Sequence, residues 1–346
     1  MSSEDDFPPI DEDASIEPAP RAFAPAEMVA CDECLRANAP TRMNCLYCGA
    51  LLPATDAARD LRRPTLRALE AWEQGFNVVL LPQPSDVLSA DALAEGSSLL
   101  RLEAKVLREM AAAQTFLPLA RTATREEAAL IETKLRASGW RVEVVTDEEL
   151  GVETHAPKRI RKLEFTNDAL KGWTNADGEA ETVAWSQVVL MLAGRISHKR
   201  IEVEERRSRR SEGEVVETRE FFDDESAFDV YVAGSVVNWR IMAENFDYSC
   251  LGAQKSLTAA ENFKRLVETF RARAAAAVYD DSYRGVRHYL KFAWPLAEQT
   301  EAGSLRRIRP GRYNSEAVTS TSNEAQFTRY GRLLQHFRLR GLTNAT

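Results

Sequence analysis

The apolar positions beyond residue 74 change period several times, and each change marks an element. "GFNVVLLP" (75–82) is a continuous apolar run between Gly75 and Pro82, the mark of a buried strand. In "SADALAEGSSLLRLEAKVLREMAAAQ" (89–114), Leu99, Leu102, Val106 and Met110 recur at helical spacing and predict one amphipathic helix. "FLPLART" (116–122) reads as a second strand. Thr124 then stands three residues before Glu127, the spacing of a capping box; Ala128, Ile131 and Leu135 form an inner stripe, and Gly139 stops the helix. "RVEVVT" (141–146) is the next strand, so residues 75–146 read as βαβαβ.

From 158 to 275 the rhythm shortens. "KRIRKLEFTNDALKGWTN" holds two alternating runs, one with Ile160 and Leu163, the other centred on Leu170 and Trp173. "ETVAWSQVVLMLAGRIS" (181–197), "RIEVEE" (200–205), "EVVETREFF" (214–222), "AFDVYVAG" (227–234) and "NWRIMA" (238–243) follow as short strands. A helix over 256–277 closes the series, with Leu257, Phe263, Leu266, Val267 and Phe270 on its apolar face. Beyond it, 279–299 predicts a helix with Tyr283, Val286, Tyr289 and Leu290 as its docking face. The Ser/Thr/Asn-rich stretch after "RRIRPGRY" carries no element signal. Residues 324–342 predict a basic amphipathic helix, Phe327, Tyr330, Leu333, Leu334 and Phe337 against Arg329, Arg332, Arg338 and Arg340.

Composition alters this picture at the N-terminus. The chain of 346 residues has room for two or three domains, and 44% hydrophobic with 28% charged residues suits a globular chain that buries a core. Its net charge of −8 is unevenly placed. Residues 1–30 hold eight acids (Glu4, Asp5, Asp6, Asp11, Glu12, Asp13, Glu17, Glu27) against Arg21, which is −7 and leaves −1 for the rest. With Pro8, Pro9, Pro18, Pro20 and Pro25 as well, this tail has too little apolar surface to offset its ordering entropy and reads as disordered. Its roles are a solubilising leader or, more sharply, an acidic blocker of a basic surface. No segment has the ~20 apolar residues of a membrane span. No basic stretch followed by an apolar one opens the chain, so a cytoplasmic location is expected.

Four of the five cysteines lie in "CDECLRANAPTRMNCLYCG" (31–49) as two C-x-x-C pairs, Cys31 with Cys34 and Cys45 with Cys48. Two residues within each pair let a tight turn aim both thiolates at one point, and two such turns face each other as a tetrahedral four-sulfur site suited to one structural Zn2+. Gly49 follows the second pair, where the turn calls for a positive φ; Leu35, not glycine, follows the first. Disulfides need an oxidising compartment, and a thioredoxin-type redox site uses a single C-x-x-C at a strand–helix junction. Iron fits the same ligands, although rubredoxin-like sites have a wider spacing and more aromatic packing than Tyr47 supplies. The segment resembles the short zinc-ribbon modules of many bacterial and archaeal proteins over residues 31–53, which implies a closed metal site with no open position for substrate.

Two further resemblances rest on looser motifs. The segment 116–146, through Thr124, Glu127, Ala128, Leu135 and Gly139, is similar to small bacterial ferredoxin-like domains described as signal-transducing, which implies no catalytic residues. The strands of 158–275 with their closing helix, opening on "LEFTNDALKGW…VAWSQV", resemble pleckstrin-homology-like barrels of the GRAM type: seven antiparallel strands plugged by a C-terminal helix. Basic loops on such barrels hold anionic lipid headgroups, which makes that a ligand class to consider.

Other polar clusters are weaker signals. The basic stretches 158–162, 206–210 and 306–312 each read first as solvated faces. Nucleic acid is the alternative, but no aromatics interleave with the arginines as a stacking platform requires. Asp223–Glu225 and Asp280–Asp281 are adjacent acids, usually hydrated and not a catalytic dyad. Cys250, among apolar residues, reads as a small buried hydrophobe. No nucleotide-binding glycine motif, G-x-S-x-G or H-E-x-x-H is present.

The expected architecture is α+β and multidomain: acidic tail (1–30), zinc ribbon (31–53), linker passing into a helix (54–74), ferredoxin-like α/β domain (75–150), antiparallel PH-like β domain with its closing helix (158–278), and a helical, partly disordered C-terminal extension (279–346). The expected function is that of a bacterial-type, non-enzymatic regulatory or scaffold protein that binds another protein. A nucleic-acid-binding zinc-ribbon regulator is the alternative, and an unrecognised enzyme the third.

Overall fold

The computed structural model describes residues 22–53, 61–70, 73–84, 88–151, 156–175, 178–208, 211–235, 238–309 and 312–342. The acidic tail up to residue 21 and the linker residues 54–60 lie outside these. The chain divides into two units, Met1–Thr65 and Leu66–Thr346. In the first, Pro25–Glu27 make one 3-10 turn, and β1 (Val29–Ala30) pairs antiparallel with β2 (Ala37–Asn38).

The second unit opens on residues 66–70, which with 62–65 of the first run as irregular chain where a helix was expected. The elements then follow the order read from periodicity, β3 (Phe76–Leu80), α1 (Ala90–Leu100), α2 (Ala104–Ala112), β4 (Leu117–Thr122), α3 (Arg125–Ala137) and β5 (Val142–Thr146), and a short α4 (Asp147–Leu150) is added that the sequence reading did not contain. The single helix expected over 89–114 is two. Arg101 takes a left-handed conformation, φ 56°, and the Ser97 hydroxyl donates to the Leu102 carbonyl at 2.5 Å, turning the chain between them. Leu99 and Leu100 before the break and Leu107 and Met110 after it all reach the core. The sheet order is β4-β3-β5, with β3 antiparallel to both neighbours, so the crossover through α3 straddles β3. Thr124 caps α3 by accepting from the Glu127 N–H at 3.3 Å, but the Glu127 carboxylate accepts from the Leu66 N–H at 2.8 Å, which ties the incoming chain to the helix.

A second sheet dominates the unit. After β6 (Lys158–Ile160), strands β7 (Lys162–Phe165), β8 (Ala169–Trp173) and β9 (Glu181–Ala184) form an antiparallel meander. The short strands expected next are fused into two long ones, β10 (Val188–Ser208) and β11 (Ser211–Val232). β12 (Trp239–Met242) precedes α5 (Ala259–Arg273). Leu257 lies before that helix and is fully exposed, not part of its apolar face. β13 (Val278–Asp280) and α6 (Tyr283–Leu290) follow.

The expected helical extension contributes a hairpin instead, β14 (Ala297–Arg309) and β15 (Arg312–Ser322), before α7 (Glu324–Leu339). The sheet order is β14-β15-β10-β11-β12-β6; β6 pairs parallel to β12, so the sheet is not wholly antiparallel.

The inner part of this sheet is covered on both faces. Leu190, Leu192, Ala227 and Tyr231 pack with α6, α7 and the three-stranded sheet. Met191, Phe228 and Val230, pointing the other way, pack with β7–β9 and α5. Helix α7 is therefore no surface helix: Arg329 and Arg332 are buried with its five apolar residues. Gly331 is needed where α7 crosses the sheet, because a Cβ there would lie 1.8 Å from the Tyr231 hydroxyl. The outer halves of β10 and β11, with β14 and β15, extend past this core, and residues 218–223 and 297–301 are exposed.

Candidate metal centre

The ribbon is built from two matching turns. Leu35 N–H donates to the Cys31 carbonyl at 2.8 Å and Gly49 N–H to the Cys45 carbonyl at 3.0 Å. Each turn is then closed from outside by a second bond, Cys31 N–H to the Arg36 carbonyl (3.0 Å) and Cys45 N–H to the Ala50 carbonyl (2.8 Å). Both turns end on a positive φ, 58° at Leu35 and 77° at Gly49. The backbone symmetry therefore overrides the residue type at Leu35.

The four sulfurs lie within 4.8 Å of one another. Cys31 and Cys48 are 3.6 Å apart, and Cys34 and Cys45 3.5 Å. Sulfurs ~2.3 Å from a central ion form a tetrahedron with edges of ~3.8 Å, so these thiols are already spaced to hold a metal. Burial opposes ionisation of Cys45, but N–H groups of Cys48 and Tyr47 and the Asn38 amide aimed at its sulfur outweigh burial and bring it to about 6. At Cys48 an N–H from Ala50 favours the thiolate, yet burial and the three neighbouring thiols together push it up to about 12. One thiolate forms readily; the full set needs a cation among the sulfurs.

Asn38 is the residue the sequence did not mark. It is buried, its amide donates to Cys45 Sγ at 3.4 Å and to the Arg36 carbonyl at 2.9 Å, and its oxygen accepts from Leu46 N–H at 2.8 Å. It orients one ligand and links the two turns, a supporting role that leaves no trace in the C-x-x-C spacing.

Leu35 carries a direct prediction. A left-handed conformation costs a non-glycine residue about 1–2 kcal/mol, and Leu35, 81% exposed, recovers little by packing. Leu35→Gly, allowing for glycine's larger unfolded-state entropy, is expected to stabilise the metal-bound ribbon by about 1 kcal/mol. Competition with a chelator checks this; an unchanged or weaker hold on the metal would mean that the leucine side chain stabilises the turn by contacts.

Among the described residues, the other singled-out ones do not assemble a second centre. Cys250 lies in the other unit, partly buried, its thiol pushed up to about 11 by burial and by Asp247, the opposite of an activated nucleophile. Asp224 pairs with Arg195 at 2.8 Å, and Glu225 accepts from Glu244 N–H at 2.6 Å. In the 158–162 stretch, Lys158 pairs with Glu181, Arg159 makes a two-pronged pair with Glu324 (2.9 Å each), and Arg161 donates to the Asn245 carbonyl. Its charges are largely spent within the fold.

Two buried ionic networks went unseen in the sequence: Asp147 with Arg121 and Arg329, and Asp229 with Arg240. A cleft of about 490 Å³ beside Trp294 and Leu296 has Arg121 and Arg329 in its wall, but both guanidiniums are held on Asp147. Among the described residues no helix is long and apolar enough to cross a membrane. Compared with models of protein families, with curated proteins and with solved structures, the chain matches none, so what is established of its chemistry is this four-thiol centre.

Proposed function

We propose that the chain is a non-enzymatic regulatory or scaffold protein whose metal-clipped ribbon binds another protein. Four large apolar side chains stand exposed on this short module: Leu35 (81%), Leu46 (64%), Tyr47 (54%) and Leu51 (47%). They belong to or directly follow the two turns that the sulfurs hold in place. A module of this size that leaves large apolar groups in water, beside a core of only a few residues, is suited to covering them with a partner. The metal is zinc, since a closed set of four thiolates in a loop-rich ribbon is its usual structural site, and such a site leaves no position for substrate. Seven strands from β6 to β12 followed by α5 support the PH-like reading of that region, and the crossover of α3 over β3 supports the ferredoxin-like one. A cytoplasmic setting, where thiols stay reduced, suits the four unpaired cysteines.

Co-purification with the intact chain, with Cys45→Ser, and with the doubly substituted Leu46→Ser/Tyr47→Ser chain tests the reading. The double variant keeps all four ligands. A partner that survives high salt on the intact chain and is lost from both variants is the expected result. Retention of that partner by the double variant would remove the ribbon surface from the interaction.

A further inference from the structure

Two clefts of the larger unit meet at one buried arginine. The smaller, about 300 Å³, lies between the irregular chain of 66–69, the end of α1, strand β4 and the residues that follow α6. Leu66, Leu69, Leu100, Leu102, Leu119 and Phe292 give it an apolar wall. The charged side chains of its lining are all cations, Arg67, Arg101, Arg121 and Lys291, with no acid among them. The larger cleft, about 490 Å³, shares Leu69, Arg121 and Pro295 with the smaller and carries two acids, Glu70 and Glu298. Arg121 therefore stands where an apolar chamber with a positive lining opens into one of mixed charge.

Arg121 is only 8% exposed, and its orientation is fixed from behind. Nε and Nη2 donate to Asp147, and Nη2 also donates to the Glu73 carbonyl at 2.6 Å. The third nitrogen of the guanidinium, Nη1, makes no hydrogen bond among the described residues, and it is not sealed from solvent. Asp147 is shared with Arg329 at 2.9 Å, and one carboxylate does not neutralise two guanidiniums. The nearby Glu73 carboxylate is gripped at both oxygens by Arg67. The backbone around the smaller cleft is also unusual. Two of the four non-glycine residues with a positive φ among the described residues, Leu66 (51°) and Arg101 (56°), line it. Conformations of this kind are unfavourable for a residue with a Cβ and gather at ligand clamps.

We propose that the smaller cleft binds a single-chain aliphatic monocarboxylate, with the carboxylate on Arg121 Nη1 and the chain against Leu66, Leu100, Leu102 and Phe292. Its volume is at the small end of the range for ligand sites, which gives room for one chain and not for a two-chain lipid. The apolar wall covers the chain, and the four cations of the lining favour a negative head group. A monoanion fits better than a phosphate. One guanidinium nitrogen is on offer, and Glu70 and Glu298 in the adjoining cleft repel any further negative charge. Asp147 is the positioning residue: it holds the guanidinium by one edge and leaves the other edge to the ligand.

Titration calorimetry of the full chain with decanoate, decan-1-ol and decyl phosphate, each below its micelle concentration, tests this. Decanoate is expected to bind at about one per chain and at least about tenfold more tightly than the alcohol, the usual gain from a hydrogen bond to a charged group. Arg121→Lys keeps a charge beside Asp147 but loses Nη1, and should bring decanoate down to the affinity of the alcohol. Because that change touches the buried network, a second variant leaves the network alone. Ala68 is exposed and lines the cleft, so Ala68→Glu adds an acid to the lining. It should weaken decanoate about tenfold and the alcohol less than about threefold, since only the acid is repelled. Phe292→Ser, at a residue 40% exposed, should weaken both ligands about fivefold by removing apolar wall. The proposal fails if decanoate is not bound, if acid and alcohol bind equally, or if Ala68→Glu and Phe292→Ser both leave decanoate unchanged. Tighter binding of decyl phosphate than of decanoate would overturn the carboxylate. The ribbon contributes none of these residues, so failure here leaves the reading of its partner untouched.

Discussion

Replacing Cys45 with serine is expected to empty the ribbon of metal and to unfold it, while leaving the larger unit folded. The core of the ribbon consists of Val29, Cys31, Cys45 and Leu52, with Cys34 and Ala50 packed against it. Two of its four buried members are themselves ligands. So small a core cannot offset the ordering of some 25 residues at ~1–2 kcal/mol each. A bound structural zinc supplies about 10–16 kcal/mol at neutral pH, so metal binding and folding of this module are one event. Cys45 is the most exacting ligand to replace, because the Asn38 amide and Tyr47 N–H are already aimed at its sulfur. Metal analysis should fall from about one zinc per chain to nearly none. Amide-exchange protection should disappear between residues 29 and 52 and persist beyond residue 66. A Cys45→Ser chain that keeps its full zinc, or a wild-type chain stripped of metal that keeps a protected ribbon, would disprove the coupling. Stoichiometric iron in place of zinc would correct the metal and leave the coupling intact.

Asp147→Ala should be the most damaging single change in the larger unit. Asp147 is fully buried and accepts five bonds: from Gly75 N–H and the Asn77 amide at 2.9 Å each, from Arg121 Nε at 2.9 Å and Nη2 at 2.5 Å, and from Arg329 Nη1 at 2.9 Å. It thereby joins the end of β5 to β3, β4 and α7. Removing one partner of a buried pair costs about 3–5 kcal/mol, because the remaining charge stays buried without compensation. Here two guanidiniums are stranded, so the loss belongs at the upper end. Total stabilities are about 5–15 kcal/mol, and a fall in Tm of about 10 °C is expected for a unit of this size. Thermal denaturation followed by circular dichroism measures it, with the exposed neighbour Glu148→Ala as the reference, expected to shift stability by less than about 0.5 kcal/mol. A loss below about 1 kcal/mol for Asp147→Ala would mean that the two arginines find water or other acceptors, and that the network does not hold α7 in place.

Much of the local structure was legible. The strands at 76–80, 117–122 and 142–146 and the helix at 125–137 lie where period and capping put them, since each has one solvent-free side and a short reach between signals. The break at Arg101 was not legible: the helical spacing of Leu99, Leu102, Val106 and Met110 continues across it, and a single left-handed residue carries no hydrophobic signal. The hairpin at 297–322 was missed for a related reason. Its outer half lies beyond the core, so "EQTEA" and "TSTS" have no apolar alternation to betray a strand. The helix at 324–339 was found, but its arginines were assigned to solvent. A buried arginine looks like an exposed one until its carboxylate is known, and Asp147 is 182 positions from Arg329.

The sequence by itself determined the four-thiol centre, because all four cysteines fall within 18 consecutive residues and local turn geometry is enough to bring their sulfurs together. It also determined that the tail is acidic and that the body alternates strands and helices. Only the tertiary structure decided which strands are neighbours. That choice buried α7 between two sheets and set Arg206 and Arg207 of β10 and Arg306 and Arg307 of β14 in the rows on either side of β15. Strand pairing across 100 residues is set by which surfaces the core can cover, and no local pattern of apolar and polar residues contains that information.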